Sequence, residues 1–121
     1  MGAFVISKRF NDTYKFVFTS RKGKVIFTSQ SYELKFEGEE DIVLIQQSIE
    51  VLVFIKLKSV AGKYYFRLLL GERHLATSRK YTTELRLLKG IEEIKKYAAV
   101  SEILDFSENT FVFPDWFYDI V

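Results

Sequence analysis

Residues 64–98 read YYFRLLLGERHLATSRKYTTELRLLKGIEEIKKYA, and this stretch decides the fold because residues 14–49 carry the same pattern. The full repeat pairs residues 4–49 with residues 54–98. The two copies align at an offset of 50 residues up to Phe16 and at an offset of 49 from Thr28 onward. A turn lies between these points, and turns accept a change of length more readily than strands do. Repetition at this spacing predicts a fold built from two similar units. The recurring pairs are Phe4/Phe54, Lys8/Lys58, Tyr14/Tyr64, Phe16/Phe66, Thr28/Thr77, Ser29/Ser78, Tyr32/Tyr81, Ile42/Ile91 and Ile45/Ile94.

The composition is that of a folded protein with an aromatic core, since 48% of the 121 residues are hydrophobic and 17% are aromatic. We predict a single domain over residues 1–121, with internal repeats at 3–50 and 51–98 and an acidic, aromatic tail at 99–121. The chain has no cysteine, so it has neither a disulfide nor a thiolate site. No stretch has the roughly 20 apolar residues of a membrane helix, and the first residues do not form a signal peptide. We therefore expect a cytoplasmic protein without a membrane partner.

Each copy is predicted to form three strands followed by a helix. In the second copy, Thr83 is the expected N-cap, because its hydroxyl can accept a hydrogen bond from a free amide of the first helical turn. In the first copy, Gly38 stands where the second copy has Leu87, so we expect that helix to begin late, near Glu39. The predicted strands are residues 3–9, 14–20 and 24–29 in the first copy and 51–59, 64–70 and 72–78 in the second.

The tail is predicted to begin a third copy. Residues 103–106, a turn at Glu108-Asn109 and residues 111–113 form a hairpin-like pattern that ends at Pro114. Residues 51–98 hold eleven basic and four acidic side chains, whereas residues 99–121 hold five acidic and no basic ones. This contrast favours the second copy as the surface on which the tail docks, with Trp116 packed onto the body.

The repeated signature resembles that of the YegP-like family of small bacterial tandem-repeat domains. The signature is Tyr-x-Phe, then Thr-Ser-x-x-Tyr, then a helix with Gly-Ile-x-x-Ile-Lys-Lys-x-Ala, and residues 64–66, 77–81 and 90–98 match it in full. The first copy departs at Asp41, which stands where the family has glycine. The resemblance implies an α+β fold, a tandem duplication of a β-β-β-α unit forming antiparallel sheet with two helices packed on one face. The pattern of residues 99–121 adds a C-terminal hairpin-like tail to this fold. The resemblance implies no activity.

Four hydroxyl-bearing residues recur at the predicted junction of sheet and helix, namely Ser29, Tyr32, Ser78 and Tyr81. They could line a small polar pocket. Alternatively, the serines bond to backbone groups of the junction while each tyrosine packs its ring against the helix. We favour the second interpretation, because a residue needed to build every repeat recurs for that reason alone.

The second copy also carries the only residues that suggest a class of ligand. The candidates for ligand or anion contacts are Arg67, Arg73, Arg79, Lys80 and Tyr64. Basic side chains interleaved with aromatic rings on a sheet can bind single-stranded nucleic acid. However, the net charge is only +2 and the chain has no established nucleic-acid motif. A solvated basic face, partly neutralised by the acidic tail, is the simpler interpretation.

The sequence offers no set of residues suited to catalysis or metal binding. His74 is the only histidine. The run Glu39-Glu40-Asp41 diverges by about 100° per residue on a helix and is expected to be a solvated helix start. We therefore expect no enzyme, no cofactor and no metal. The favoured function is a non-catalytic module that binds a protein or forms a homodimer through its free sheet edges, and the alternative is nucleic-acid binding.

Overall fold

Two β-β-β-α units follow one another in the computed structural model, which describes residues 2–107. The first unit comprises β1 (Ala3–Lys8), β2 (Tyr14–Thr19), β3 (Val25–Ser29) and α1 (Lys35–Gln47). The second comprises β4 (Val53–Lys58), β5 (Tyr64–Leu70), β6 (Arg73–Ser78) and α2 (Glu84–Tyr97). A short 3-10 turn follows each helix, at Ile49–Val51 and Ala98–Val100, and β7 (Glu102–Asp105) comes last. The prediction that both copies have the same elements in the same order is confirmed.

All seven strands form one sheet, in the order β4-β5-β6-β3-β2-β1-β7. The units meet where β3 pairs antiparallel with β6, and Thr28 lies directly opposite Thr77. These two threonines are equivalent positions of the repeat, so the pseudo-twofold axis that relates the units passes between them. Every neighbouring pair of strands is antiparallel except β1 and β7. The sheet is therefore mixed but mostly antiparallel.

Both helices pack on the same face of the sheet, where the two units share one hydrophobic core. Phe16 and Phe66 are fully buried at equivalent positions of β2 and β5. Burial of a side chain of this size stabilises the folded state by about 1.5–3 kcal/mol. The predicted core is confirmed, because its other members, Ile42, Ile45, Ile91 and Ile94, are also buried.

The start of α2 was predicted correctly and the start of α1 was not. Thr83 caps α2, its Oγ1 accepting a hydrogen bond of 3.2 Å from the Arg86 amide. Helix α1 begins at Lys35 rather than near Glu39, because the Glu37 carboxylate accepts a hydrogen bond of 3.2 Å from the Leu34 amide and caps the first turn. Gly38 therefore lies inside the helix. A Cβ atom at Gly38 would lie 3.4 Å from the ring of Tyr32, which is an ordinary van der Waals contact.

Strand β7 lies within the segment predicted to begin a third copy, but its position corrects the expected docking surface. It pairs parallel with β1 of the first unit rather than with the second unit. Local contacts after α2 decide this: the side-chain amide of Gln46 donates to the carbonyls of Ala98 (3.1 Å) and Ser101 (3.0 Å). The Lys35 ammonium also lies 3.0 Å from the Asp105 carboxylate. The rest of the predicted hairpin and the docking of Trp116 lie outside the described residues.

The helices are short. Helix α1 has 13 residues and α2 has 14, against the roughly 20 that a bilayer requires. Within residues 2–107, no helix has both the length and the apolar character needed to cross a membrane.

Candidate functional site

The two junction serines complete the hydrogen bonding of the sheet in the same way in each unit. The Ser29 hydroxyl accepts a hydrogen bond of 2.9 Å from the Phe16 amide and donates one of 2.8 Å to the Gln30 carbonyl. The Ser78 hydroxyl accepts from the Phe66 amide at 2.8 Å and donates to the Arg79 carbonyl at 2.7 Å. Both hydroxyls are saturated by backbone groups, so the serines build the junction and present no free polar group.

The tyrosine of the first unit belongs to a buried charged cluster. The Tyr32 hydroxyl donates a hydrogen bond of 2.7 Å to Asp41 Oδ2, and Arg73 Nη2 from the second unit reaches the same oxygen at 2.6 Å. Asp41 is 4% exposed, which corrects the expectation that it belongs to a solvated helix start. The carboxylate can be buried because two donors replace its water.

The protonation of Tyr32 follows from this arrangement. Burial, and then the hydrogen bond to Asp41, raise the pKa of Tyr32 far above its ordinary value of 10.0. The hydroxyl therefore stays protonated across the physiological range and remains a donor to the carboxylate. The Tyr32–Asp41–Arg73 cluster ties the helix of one unit to a strand of the other.

The equivalent position in the second unit has a tyrosine but no carboxylate. Gly90 takes the place of Asp41, and Lys24 takes the place of Arg73. A Cβ atom at Gly90 would overlap the Tyr81 hydroxyl, so the absence of a side chain at Gly90 leaves room for Tyr81. The two junctions thus place a tyrosine against a helix glycine at different turns of the helix. Among residues 2–107, no carboxylate donated by the helix is hydrogen-bonded to the Tyr81 hydroxyl as Asp41 is to Tyr32.

A cavity of about 450 Å³ opens beside Tyr81, between the β2–β3 turn of the first unit and α2. We call it the Tyr81 cavity. The Arg79 guanidinium lies 5.3 Å from the centroid of the Tyr81 ring. Burial raises the pKa of Tyr81 to about 12, with Arg79 lowering it and Glu93 raising it. One acidic residue, Glu93, lines the cavity beside six basic ones, which are Lys22, Lys24, Arg79, Lys80, Arg86 and Lys89.

The basic candidates of the second copy do not form one surface. Arg79 and Lys80 line the Tyr81 cavity, whereas Arg73 is bound to Asp41. Arg67 is exposed on the face of the sheet opposite the helices, since its neighbours along β5 are buried on the helix side. Tyr64 exchanges backbone hydrogen bonds with Tyr81, at 2.8 and 2.6 Å.

Sequence reasoning missed half of the cavity, because the first unit and α2 supply it. The signal that could have found these residues is the repeat alignment itself, in which position 41 is acidic and position 90 is glycine. The missed residues are Lys22, Lys24, Arg86, Lys89 and Glu93.

Residues 2–107 contain no group of three or more His, Asp or Glu side chains placed to hold a metal ion. His74 Nε2 lies 2.9 Å from the Ala76 carbonyl and 3.1 Å from Thr77 Oγ1, so the ring is engaged by its own strand.

Fold and junctions together define a tandem-duplicated α+β protein of two β-β-β-α units. Residues 59–105 match the family described as "Domain of unknown function (DUF1508)". The chain is 29% identical over 108 residues to a UPF0339 protein of Acinetobacter baylyi, covering 88% of this chain and 97% of that protein. It is 26% identical over 106 residues to the UPF0339 protein YegP of Escherichia coli, covering 86% of this chain and 96% of YegP.

Solved structures agree with the sequence relatives. The solution NMR structure of YegP from Escherichia coli is 25% identical, with a TM-score of 0.79 over 88% of this chain and 94% of that one. A UPF0339 protein from Shewanella oneidensis is 26% identical, with a TM-score of 0.81 over 90% of this chain and 94% of that one. The chain is similar over most of its length to UPF0339 proteins of the YegP-like family, which are small bacterial proteins of unknown function.

Proposed function

We propose that the protein is a non-catalytic binding module that recruits an extended acidic segment of a partner protein at the outer edge of β4. Strand β4 lies at one end of the sheet, and no other strand in residues 2–107 pairs with its outer side. An unpaired strand edge offers a row of donors and acceptors to which another chain can add a strand.

The observation that carries the proposal is the pseudo-symmetry between the outer edges of β4 and β1. The Phe66 amide points toward β6, where it donates to the Ser78 hydroxyl. Lys56 of β4 lies directly opposite Phe66. The N–H and C=O of Lys56 therefore point away from the sheet. Ile6 is the equivalent of Lys56, and its carbonyl already accepts a hydrogen bond of 2.9 Å from the Phe106 amide. The edge of β1 therefore binds a strand in the manner proposed for β4.

The side chains along β4 favour an acidic and apolar partner. Val53 and Ile55 are 47% and 41% exposed on the face opposite the helices. Lys56 and Lys58 alternate with them along the strand, and Arg67 lies directly opposite Ile55. The strand that occupies the β1 edge is of this kind, with the sequence Glu-Ile-Leu-Asp in β7.

Charge also argues against pairing between two copies of β4. An antiparallel β4–β4 contact would bring the lysines of both copies close together along the same edge, and like charges across a strand pair are destabilising. A partner protein is therefore proposed in place of the homodimer.

A peptide titration followed by NMR tests this proposal. The probe is an alternating Glu-Val peptide of about six residues, the usual length of a strand. We expect the amide resonances of residues 53–58 to shift, and we expect a Lys-Val peptide of the same length to leave them in place. An oligothymidylate that shifts these amides at lower concentration than the peptide would overturn the proposal in favour of nucleic-acid binding.

Two variants of one residue separate backbone pairing from charge. Lys56→Pro removes the outward N–H, at a position where an edge strand tolerates proline, and should abolish the shifts. Lys56→Ala keeps the N–H and should only weaken the binding. Unchanged binding by Lys56→Pro would exclude strand addition at β4.

A further inference from the structure

We propose that the Tyr81 cavity is a binding site for a small phosphorylated molecule that also carries a hydroxyl or amino group. This site is separate from the edge of β4 and goes beyond the function proposed above. Two equivalent junctions in one chain differ at the position that holds the anion.

The first junction shows what the arrangement binds. An anion, the Asp41 carboxylate, lies between the Tyr32 hydroxyl and the Arg73 guanidinium, at 2.7 and 2.6 Å. The second junction keeps the equivalent donors, Tyr81 and Lys24, but has Gly90 in place of the carboxylate. Within residues 2–107 the Tyr81 hydroxyl has no hydrogen-bond partner, so the donor that holds Asp41 in one unit is free in the other.

The helix face beside the second junction is basic, whereas the equivalent helix face in the first unit is acidic. Glu37 and Glu40 of α1 are equivalent to Arg86 and Lys89 of α2, both of which line the cavity. Among residues 2–107, six basic side chains and a single carboxylate line the cavity, so one monoanionic group would leave most of the positive charge uncompensated. A phosphate, with a charge between −1.5 and −2 and three acceptor oxygens, matches this surplus better than a carboxylate does.

Glu93 indicates what the rest of the ligand carries. Its Oε2 atom is buried and finds no hydrogen-bond donor among the described residues. A buried acceptor without a donor is costly, and such groups are rarely left unpaired. The equivalent residue in the first unit is Leu44, which needs no partner. A ligand hydroxyl or amino group beside the phosphate would satisfy Glu93 while the basic residues hold the phosphate.

The size of the site agrees with this class of ligand. A volume of about 450 Å³ exceeds the space that a phosphate ion alone would fill. It falls in the range of small-molecule pockets, about 300–1,000 Å³. The ligand is therefore an organic phosphate of low mass.

The test is an NMR titration of the full chain with ribose 5-phosphate, inorganic phosphate and ribose at equal ionic strength. We expect both phosphates to shift amides around Tyr81 and Gly90, with ribose 5-phosphate binding more tightly, and ribose to shift none. The peptide described above reports on β4 amides instead, so the two proposals fail separately. No response of the cavity amides to either phosphate would overturn the inference.

Matched variants assign the roles. Lys24→Ala and Tyr81→Phe should each weaken phosphate binding by at least about tenfold, as expected for a lost bond to a charged group. The control for Lys24→Ala is Lys63→Ala, on an exposed turn. The control for Tyr81→Phe is Tyr32→Phe, in the junction that Asp41 already fills. Neither control should change the affinity for phosphate. Equal loss in a variant and its control would exclude the site.

Glu93→Leu, which installs the residue of the first unit, tests the second contact. We expect it to keep the binding of inorganic phosphate and to remove the advantage of ribose 5-phosphate. A retained advantage would overturn the role assigned to Glu93.

Discussion

At the scale of single residues, Asp41 is the clearest difference between the two units. Its carboxylate is buried and receives hydrogen bonds from Tyr32 and Arg73, so it joins the units through side chains as well as through the sheet. Removing the carboxylate would leave both donors without their acceptor. The cost of such a change falls mainly on Tyr32, because the Arg73 side chain is 57% exposed and can return to water.

We expect Asp41→Ala to lower the free energy of unfolding by about 1–3 kcal/mol, the usual cost of leaving buried donors unpaired. Urea unfolding followed by circular dichroism measures the change. The neighbouring exposed residue provides the control, since Glu40→Ala should stay within about 0.5 kcal/mol of wild type. Equal stability of the two variants would mean that the cluster does not contribute to folding.

The paired phenylalanines of the core give a second prediction at this scale. Phe16 and Phe66 are both fully buried, and each amide bonds to a junction serine. Phe16→Ala and Phe66→Ala should therefore cost similar amounts, about 3–5 kcal/mol each, through lost burial and the cavity left behind. Phe10, which is 69% exposed, is the comparison residue. A Phe66→Ala variant that melts like wild type would contradict the strand register.

At the scale of the elements, local patterns predicted most of what is observed. The alternation of apolar and polar residues predicted the six strands of the two units to within about two residues at each end. It does so because a strand that is buried on one face has apolar residues at every second position. The start of α1 was predicted wrongly, since Gly38 does not delay the helix when the Glu37 side chain caps the turn that contains it. The neighbour of β7 was also predicted wrongly, because net charge ignores how Gln46 directs the chain after α2.

The docking of β7 has a pH dependence that can be measured. Burial acts to raise the pKa of Asp105, but hydrogen bonds from Ser107 and Lys35 outweigh it and hold the pKa below the ordinary 3.8. A lowered folded-state pKa adds stability above the unfolded value, and this stability is lost as the pH falls through the folded value. Asp105→Asn should therefore be less stable than wild type near neutral pH and equally stable in strong acid. Urea unfolding across this range tests the expectation, and a difference that persists in strong acid would contradict it.

At the scale of the whole molecule, the two units share one sheet and one core. The duplication could be predicted from the sequence because equivalent residues recur in register. The Tyr81 cavity could not be predicted from either copy alone, because Lys24 comes from the first unit and Gly90 from the second. The set of residues that line the cavity depends on how the two units are placed against each other, and the pairing of β3 with β6 determines that placement.

Because the core is shared, we expect both units to unfold together. Native-state hydrogen exchange should give the amides of β3 and β6 the same, highest free energy of opening, whereas the amides of the edge strand β4 should open at lower cost. Central amides of one unit that exchange at a clearly lower free energy than those of the other would show that the units unfold separately.

The pairing of Thr28 with Thr77 has a consequence for how such a protein can diversify. Two identical chains, each contributing one unit, could build the same sheet around a true twofold axis. One sequence would then encode both halves, and a substitution in one junction would also occur in the other. Covalent duplication lifts that constraint. Position 41 can hold a carboxylate that joins the two units permanently, while position 90 remains a glycine that leaves room for a ligand. Selection can then change the two positions independently.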